Sequence, residues 1–161
     1  MQFYSTNRKT SPVSLREAVV RGLATDRGLF MPEVIRRFPP AFYQNMKEMT
    51  LREISFVVAE AFFGENVEAG KLKEIVDETL NFDIPLVQVA DNRYSLELFH
   101  GPTLAFKDVG ARFMARLLAY FNKQEGERQV NVLLATSGDT GKAVYHTRSQ
   151  HYGIGSERYI R

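Results

Sequence analysis

The sequence predicts an α/β protein, with an N-terminal helical unit followed by the opening strand-helix-strand-helix run of an α/β domain. Three observations carry that expectation. Before Asn81, apolar residues recur three or four apart, which is the helix period. After Asn81, they bunch into short runs bounded by turn residues. One such run, Val130 to Ala135, is almost continuously apolar, the pattern of a strand covered on both faces.

Gln2 to Tyr4 reads as a short edge strand. Ser14-Leu15-Arg16-Glu17 has the form of a capping box, in which the hydroxyl meets the amide three residues on and the glutamate reaches back. It opens a helix over 14–22 that stops at Gly22. Asp26-Arg27-Gly28 is a turn, and Leu29 to Pro32 reads as a buried loop limited by its proline. Arg36 to Pro40 is a break. Thr50-Leu51-Arg52-Glu53 is a second capping box and opens a helix over 50–63, ended by Gly64. A helix over 68–80 sets Leu72, Ile75, Val76 and Leu80 on one side. Its charged residues Lys71, Lys73, Glu74, Asp77 and Glu78 form a solvated face. Leu86 to Val89 and Tyr94 to Phe99 read as strands around an Asp91-Asn92 turn. A helix over 106–121 aligns Phe106, Val109, Phe113, Leu117 and Phe121 as one buried stripe. A strand over 130–136 follows, and a further helix opens at Gly138 to Gly141. This order implies parallel pairing through right-handed crossovers.

Composition narrows the function classes. The 161 residues suffice for one domain of ordinary size, with 44% hydrophobic and 25% charged residues. A net charge of +2 gives no argument for nucleic acid or an anionic membrane. The absence of cysteine excludes a disulfide framework or thiolate metal site. The polar first residues show no secretory signal, and no apolar run approaches the ~20 residues that span a bilayer. The expectation is a cytoplasmic soluble protein, with no nucleic-acid or membrane partner. Its oligomeric state is not legible.

Two stretches bear chemistry. In the first, Leu96 to Leu118, an apolar run breaks at His100-Gly101-Pro102 and enters a helix with Lys107 at its start. A lysine there is either a solvated surface cation or a Schiff-base lysine. A desolvated amine beside a positive helix end gives up its proton more readily, and a neutral amine attacks aldehydes. Periodicity does not choose between these readings. In the second, Thr136-Ser137-Gly138-Asp139-Thr140-Gly141 follows the apolar strand and opens a helix. Such a turn is either an ordinary N-capped helix start or an anion site built from backbone N–H groups and hydroxyls. It is not a P-loop, because Gly141-Lys142 is followed by Ala143. His100, His146 and His151 lack metal-ligand spacing, and no GxSxG elbow supports serine hydrolysis. Asp108 reads as a first-turn carboxylate favoured by the helix dipole or as an orienting group.

Three ordered segments carry a resemblance. His100-Gly-Pro-Thr-Leu-Ala-Phe-Lys-Asp108 resembles the pyridoxal 5'-phosphate lysine motif of threonine synthases, in the tryptophan-synthase-β-like group of fold type II. Ala135 to Gly141, ATSGDTG, is a second match, and Gly22 to Pro32, GLATDRGLFMP, is similar to the opening segment of that family. The resemblance covers about residues 1 to 144. It implies conversion of O-phospho-L-homoserine and water to L-threonine and phosphate. Protons leave Cα and then Cβ, phosphate leaves Cγ, and water adds at Cβ. It implies pyridoxal 5'-phosphate as cofactor and Lys107 as its lysine and catalytic base. It implies that Thr136, Ser137, Gly138 and Thr140 hold the substrate's α-carboxylate. Asp139 stands where many relatives have an asparagine facing the cofactor ring. The same resemblance divides the chain into an N-terminal domain over 1–82, the start of a cofactor-binding α/β domain over 83–144, and a divergent tail over 145–161.

The sequence departs from the family in two places. Lys142 stands where relatives carry a small residue, and the tail is polar, with Arg148, Arg158 and Arg161. Family enzymes are more than about twice this length, and their Gly-rich phosphate cradle has no counterpart here. The expectation is an N-terminal fragment with little activity alone. The alternatives are a related phospho-lyase acting on phosphorylated hydroxy-amino acids, or a non-catalytic fragment that binds a partner.

Overall fold

The computed structural model describes residues 1–124, 130–135, 138–148 and 154–159. The chain forms two compact units, Met1–Glu78 and Thr79–Arg161.

In the first unit, β1 (Gln2–Ser5) is the central strand of a three-stranded antiparallel sheet, between β2 (Val13–Ser14) and β3 (Phe30–Pro32). This corrects the edge-strand expectation: Phe3 faces Val13 on one side and Pro32 on the other, and its ring is buried. It also corrects the buried loop at 29–32. The segment pairs as a strand, and alternation turns Met31 outward while Leu29 is exposed.

The loops feeding this sheet are tied through Asp26. Its Oδ1 accepts from Ser5 Oγ at 2.6 Å and from the Gly28 amide at 3.0 Å, and its Oδ2 accepts from the Lys9 amide at 3.0 Å. Gly28 is required by close approach, because a Cβ there would lie 2.0 Å from Ser5 Oγ and 2.9 Å from the Asn7 nitrogen.

Helix α1 (Leu15–Arg21) is capped by Ser14, whose hydroxyl accepts the Glu17 amide at 3.2 Å. The box is only half formed: the Glu17 carboxylate pairs forward with Arg21 at 3.0 Å. The expected break holds through residue 39, and helix α2 (Pro40–Asn45), which the sequence reading did not include, begins at its last residue, since proline is tolerated at a first helical position. Helix α3 (Leu51–Phe63) has the complete box, with Thr50 and Glu53 exchanging both bonds. Helix α4 (Ala69–Thr79) buries Leu72, Ile75 and Val76, while Lys71 and Lys73 pair with Glu74 and Asp77 on its outer face.

Three carboxyls of this unit hold their protons less tightly than usual. Asp26 is lowered by the Ser5 hydroxyl, Glu53 by the Thr50 amide, and Glu65 by its hydrogen bond from the N-terminal ammonium. Groups whose folded pKa is depressed stabilise the fold above the unfolded carboxylate range, and that contribution is lost as pH falls through their folded values. Urea midpoints should therefore fall between pH 7 and pH 3. Asp26→Asn should flatten that slope, and an equally steep slope in the variant would refute Asp26's share.

In the second unit, β4 (Leu86–Ala90) and β5 (Arg93–Leu96) form an antiparallel hairpin closed at Asn92, whose φ is 56°. The expected second strand thus ends at Leu96 and does not join a parallel sheet, because the tight turn folds it back on β4. Parallel pairing occurs later in the same unit. Strand β6 (Val130–Ala135) pairs with β7 (Ile154–Tyr159) in register Val130↔Ile154 to Ala135↔Tyr159, with α6 (Asp139–Arg148) between them in sequence.

Helix α5 (Lys107–Gln124) corrects the expected stripe. Leu117 and Phe121 are buried, but Val109 and Phe113 are only half-buried and Phe106 is 59% exposed. The buried positions also include Asp108, Arg112, Arg116, Leu118 and Asn122, so burial is not confined to one stripe. The arginine stems are apolar enough to cover surface, and their heads find partners. Arg112 lies 5.6 Å from the Phe82 ring centroid, and Arg116 Nη1 donates to the Arg112 carbonyl at 3.2 Å. Helix α5 packs against α6, which buries Ala143 and Thr147. Among the described residues, no helix is long and apolar enough to cross a membrane.

Candidate active site

The loop before α5 is built from its own short-range bonds. The Leu104 amide donates to the Gly101 carbonyl at 3.0 Å, and the Asp108 amide donates to the Ala105 carbonyl at 3.1 Å. Leu104 has φ 57°, a left-handed conformation that leucine rarely adopts. The Asp108 carboxylate turns back from the helix: its Oδ2 accepts the Thr103 amide at 2.9 Å and its Oδ1 accepts the Thr103 hydroxyl at 2.8 Å. His100 stacks on Phe99 with ring centroids 4.8 Å apart, and its Nε2 lies 2.7 Å from Glu97 Oε2.

Lys107 begins α5 and is half-exposed. Its Nζ lies 5.7 Å from the Phe106 ring centroid and donates to Thr140 Oγ1 at 2.6 Å. The helix packing thus brings together two motifs 33 residues apart in sequence. The second motif opens α6 at Asp139, and the Gly141 amide bonds the Gly138 carbonyl at 3.0 Å. Asp139 and Thr140 are exposed, and Gly138 is half-buried. Lys142 is exposed, so its charge is solvated at this helix start. Thr136 and Ser137 lie outside the described residues, as does His151.

The arrangement can do two things chemically. A primary amine is held by a hydroxyl at a point two helix starts share. The same hydroxyl, having accepted one N–H, can donate its own proton to an anion at the start of α6. Sequence reasoning missed the Thr103–Asp108 tie. A threonine five residues before an aspartate is a visible pairing, but the left-handed Leu104 that lets them meet leaves no mark in the residue types.

Residues 2–80 match the family described as Threonine synthase N terminus. Threonine synthase from Serratia marcescens is 39% identical over 160 residues, which is 99% of this chain and 36% of that enzyme. The Haemophilus influenzae threonine synthase is 41% identical over 154 residues, 96% of this chain and 34% of its own length. Among solved structures, threonine synthase from Escherichia coli superposes with TM-score 0.88 at 36% identity, covering 97% of this chain and 36% of that one. A PLP-bound threonine synthase from Brucella melitensis gives TM-score 0.91 at 33% identity, covering 99% and 35%. The chain spans about a third of the length of the curated relatives it matches. The motifs that meet at Lys107 and Thr140 lie within these matched lengths; residues 2–80 belong to the threonine synthase N-terminal family, and the chain as a whole corresponds to the N-terminal portion of the threonine synthases it matches.

Proposed function

We propose that this chain supplies the cofactor lysine and the substrate-carboxylate loop of a pyridoxal 5'-phosphate-dependent threonine synthase, a carbon–oxygen lyase acting on O-phospho-L-homoserine in threonine biosynthesis. The observation that carries the reading is the 2.6 Å bond from Lys107 Nζ to Thr140 Oγ1. The residues present fit the aldehyde end of the cofactor, since Lys107 offers an accessible primary amine beside a hydroxyl donor. When bound, the cofactor supplies an electron sink that makes the substrate's Cα proton removable. Lys107 holds the aldehyde carbon and carries the proton at Nζ. Thr140, with Thr136, Ser137 and Gly138, receives the α-carboxylate at the start of α6, and Asp139 borders the cofactor ring. Residues 1–82 serve as the N-terminal domain and 83–144 as the opening of the cofactor-binding domain; the stretch 145–161, expected as a divergent tail, carries β7, which continues the parallel pairing begun by β6, and matches covering 99% of this chain extend into it. A phosphorylated, charged amino acid does not cross membranes readily, which supports a cytoplasmic setting.

Borohydride reduction of the chain with pyridoxal phosphate, followed by peptide mapping, tests the reading. The pyridoxyl label should concentrate on Lys107. Preferential labelling of Lys123 or Lys142 refutes it.

A further inference from the structure

We propose that Asp108 is a positioning residue for the site: its buried carboxylate locks the turn at 101–104 and thereby fixes where Lys107 stands. The proposal rests on the reading of Lys107 as the cofactor lysine and extends it to a neighbour that does not itself touch the reacting groups. Three independent observations support it.

First, Asp108 is 1% exposed, yet it sits in the first turn of a helix, where a carboxylate serving only the dipole would face water. A carboxylate buried that fully must be hydrogen-bonded to be tolerated. Both oxygens spend those bonds on Thr103, through its amide and its hydroxyl. The pair closes a ring around Leu104, Ala105, Phe106 and Lys107.

Second, the enclosed segment holds a conformation it would not choose. Leu104 is left-handed and 76% exposed, so its side chain gains nothing from packing that would offset the strain. Strained backbone persists only where its surroundings over-determine it, and here the Asp108–Thr103 bonds supply that constraint.

Third, the seat for the carboxylate exists only because residue 101 is glycine. A Cβ there would lie 2.6 Å from Asp108 Oδ2 and 3.0 Å from the tip of the Phe82 ring. Glycine, threonine, strained leucine and aspartate thus form one device. With the ring closed, Lys107 Nζ reaches Thr140 Oγ1. With it open, Leu104 relaxes to negative φ and the Phe106-Lys107 pair turns away.

The test uses the 161-residue chain with Asp108→Ala, Asp108→Asn and Thr103→Val. Amide hydrogen exchange at Thr103 reads the lock. Methylation of lysines by formaldehyde and cyanoborohydride, quantified by residue, reads the amine, with Lys123 at the far end of α5 as reference. Asp108→Ala should speed Thr103 exchange at least tenfold and change Lys107 methylation relative to Lys123 at least threefold. Asp108→Asn keeps the shape and one acceptor, so it should stay within about twofold of the unmutated chain on both measures. Thr103→Val loses only the hydroxyl leg and should fall between them, which keeps the test decisive if Asp108→Ala does not fold. Unchanged exchange, an equal effect on Lys107 and Lys123, or Asp108→Asn matching Asp108→Ala would each overturn the proposal. A parallel labelling with pyridoxal phosphate separates the two readings. If the unmutated chain shows no preference for Lys107, the cofactor reading fails, while exchange and methylation still decide the lock.

Discussion

Replacing Lys107 by alanine should abolish both the specific pyridoxyl label and turnover. The setting for the kinetic arm is a chimera in which these 161 residues replace the corresponding third of a full-length relative such as the Serratia marcescens enzyme. In the proposed mechanism the amine has two duties, to hold the cofactor aldehyde and to move a proton at Nζ. The proton-transfer duty alone is worth roughly 10²- to 10⁴-fold in rate, and alanine removes the covalent attachment as well. Lys107→Arg should be as inactive, because a guanidinium keeps its charge and does not serve as a neutral nucleophile. The contrast is Lys142→Ala. Lys142 is exposed at the same cluster of helix starts and has no role in this reading, so phosphate release should change by no more than about twofold on the typical scale of surface substitutions. Appreciable turnover in Lys107→Ala, or loss of turnover in Lys142→Ala, would move the catalytic amine elsewhere.

The parts of this molecule governed by local chemistry were legible in the residues. The Thr50–Glu53 box opens α3, Gly22 stops α1, and the apolar run at 130–135 is a strand. What escaped depends on partners distant in sequence. Phe3 is central because strands at 13–14 and 30–32 flank it, and two- and three-residue strands are too short to leave a period. The buried positions of α5 include Arg112 and Arg116 because Phe82 and a helix carbonyl receive their heads, and hydrophobic periodicity cannot count such residues as buried. The site divides the same way. Lys107 and Thr140 were singled out by the motifs that hold them, and only the packing of α5 on α6 makes them neighbours. Asp108 read either as a dipole-favoured first-turn carboxylate or as an orienting group, and neither reading named Thr103, whose amide and hydroxyl both bond that carboxylate.

The 161-residue chain by itself should bind pyridoxal phosphate at least a thousandfold more weakly than a full-length threonine synthase and should form no measurable threonine. Lys107 can still condense with the aldehyde, but any accessible lysine does so to some degree. Tight binding needs the cofactor's phosphate held by several N–H donors. The resemblance assigns that role to a Gly-rich loop with no counterpart in this sequence, and the chain spans only 36% of the Serratia relative. The helix start at Gly138 to Thr140 is already committed to the substrate carboxylate in the proposed reading, and one anion there excludes a second. Three charge-assisted hydrogen bonds at about 1.5 to 3 kcal/mol each amount to at least about 4.5 kcal/mol, and each 1.4 kcal/mol is tenfold in affinity. The loss therefore reaches about a thousandfold before any missing contact to the ring is counted. Titration of the chain with pyridoxal phosphate, followed by absorbance, measures the first part. Phosphate release from O-phospho-L-homoserine measures the second, with O-phospho-threonine as the substrate that would reveal a phospho-lyase. Micromolar binding with ordinary turnover would mean that a phosphate cradle lies within these residues, and the start of α6 would then be the first place to look for it.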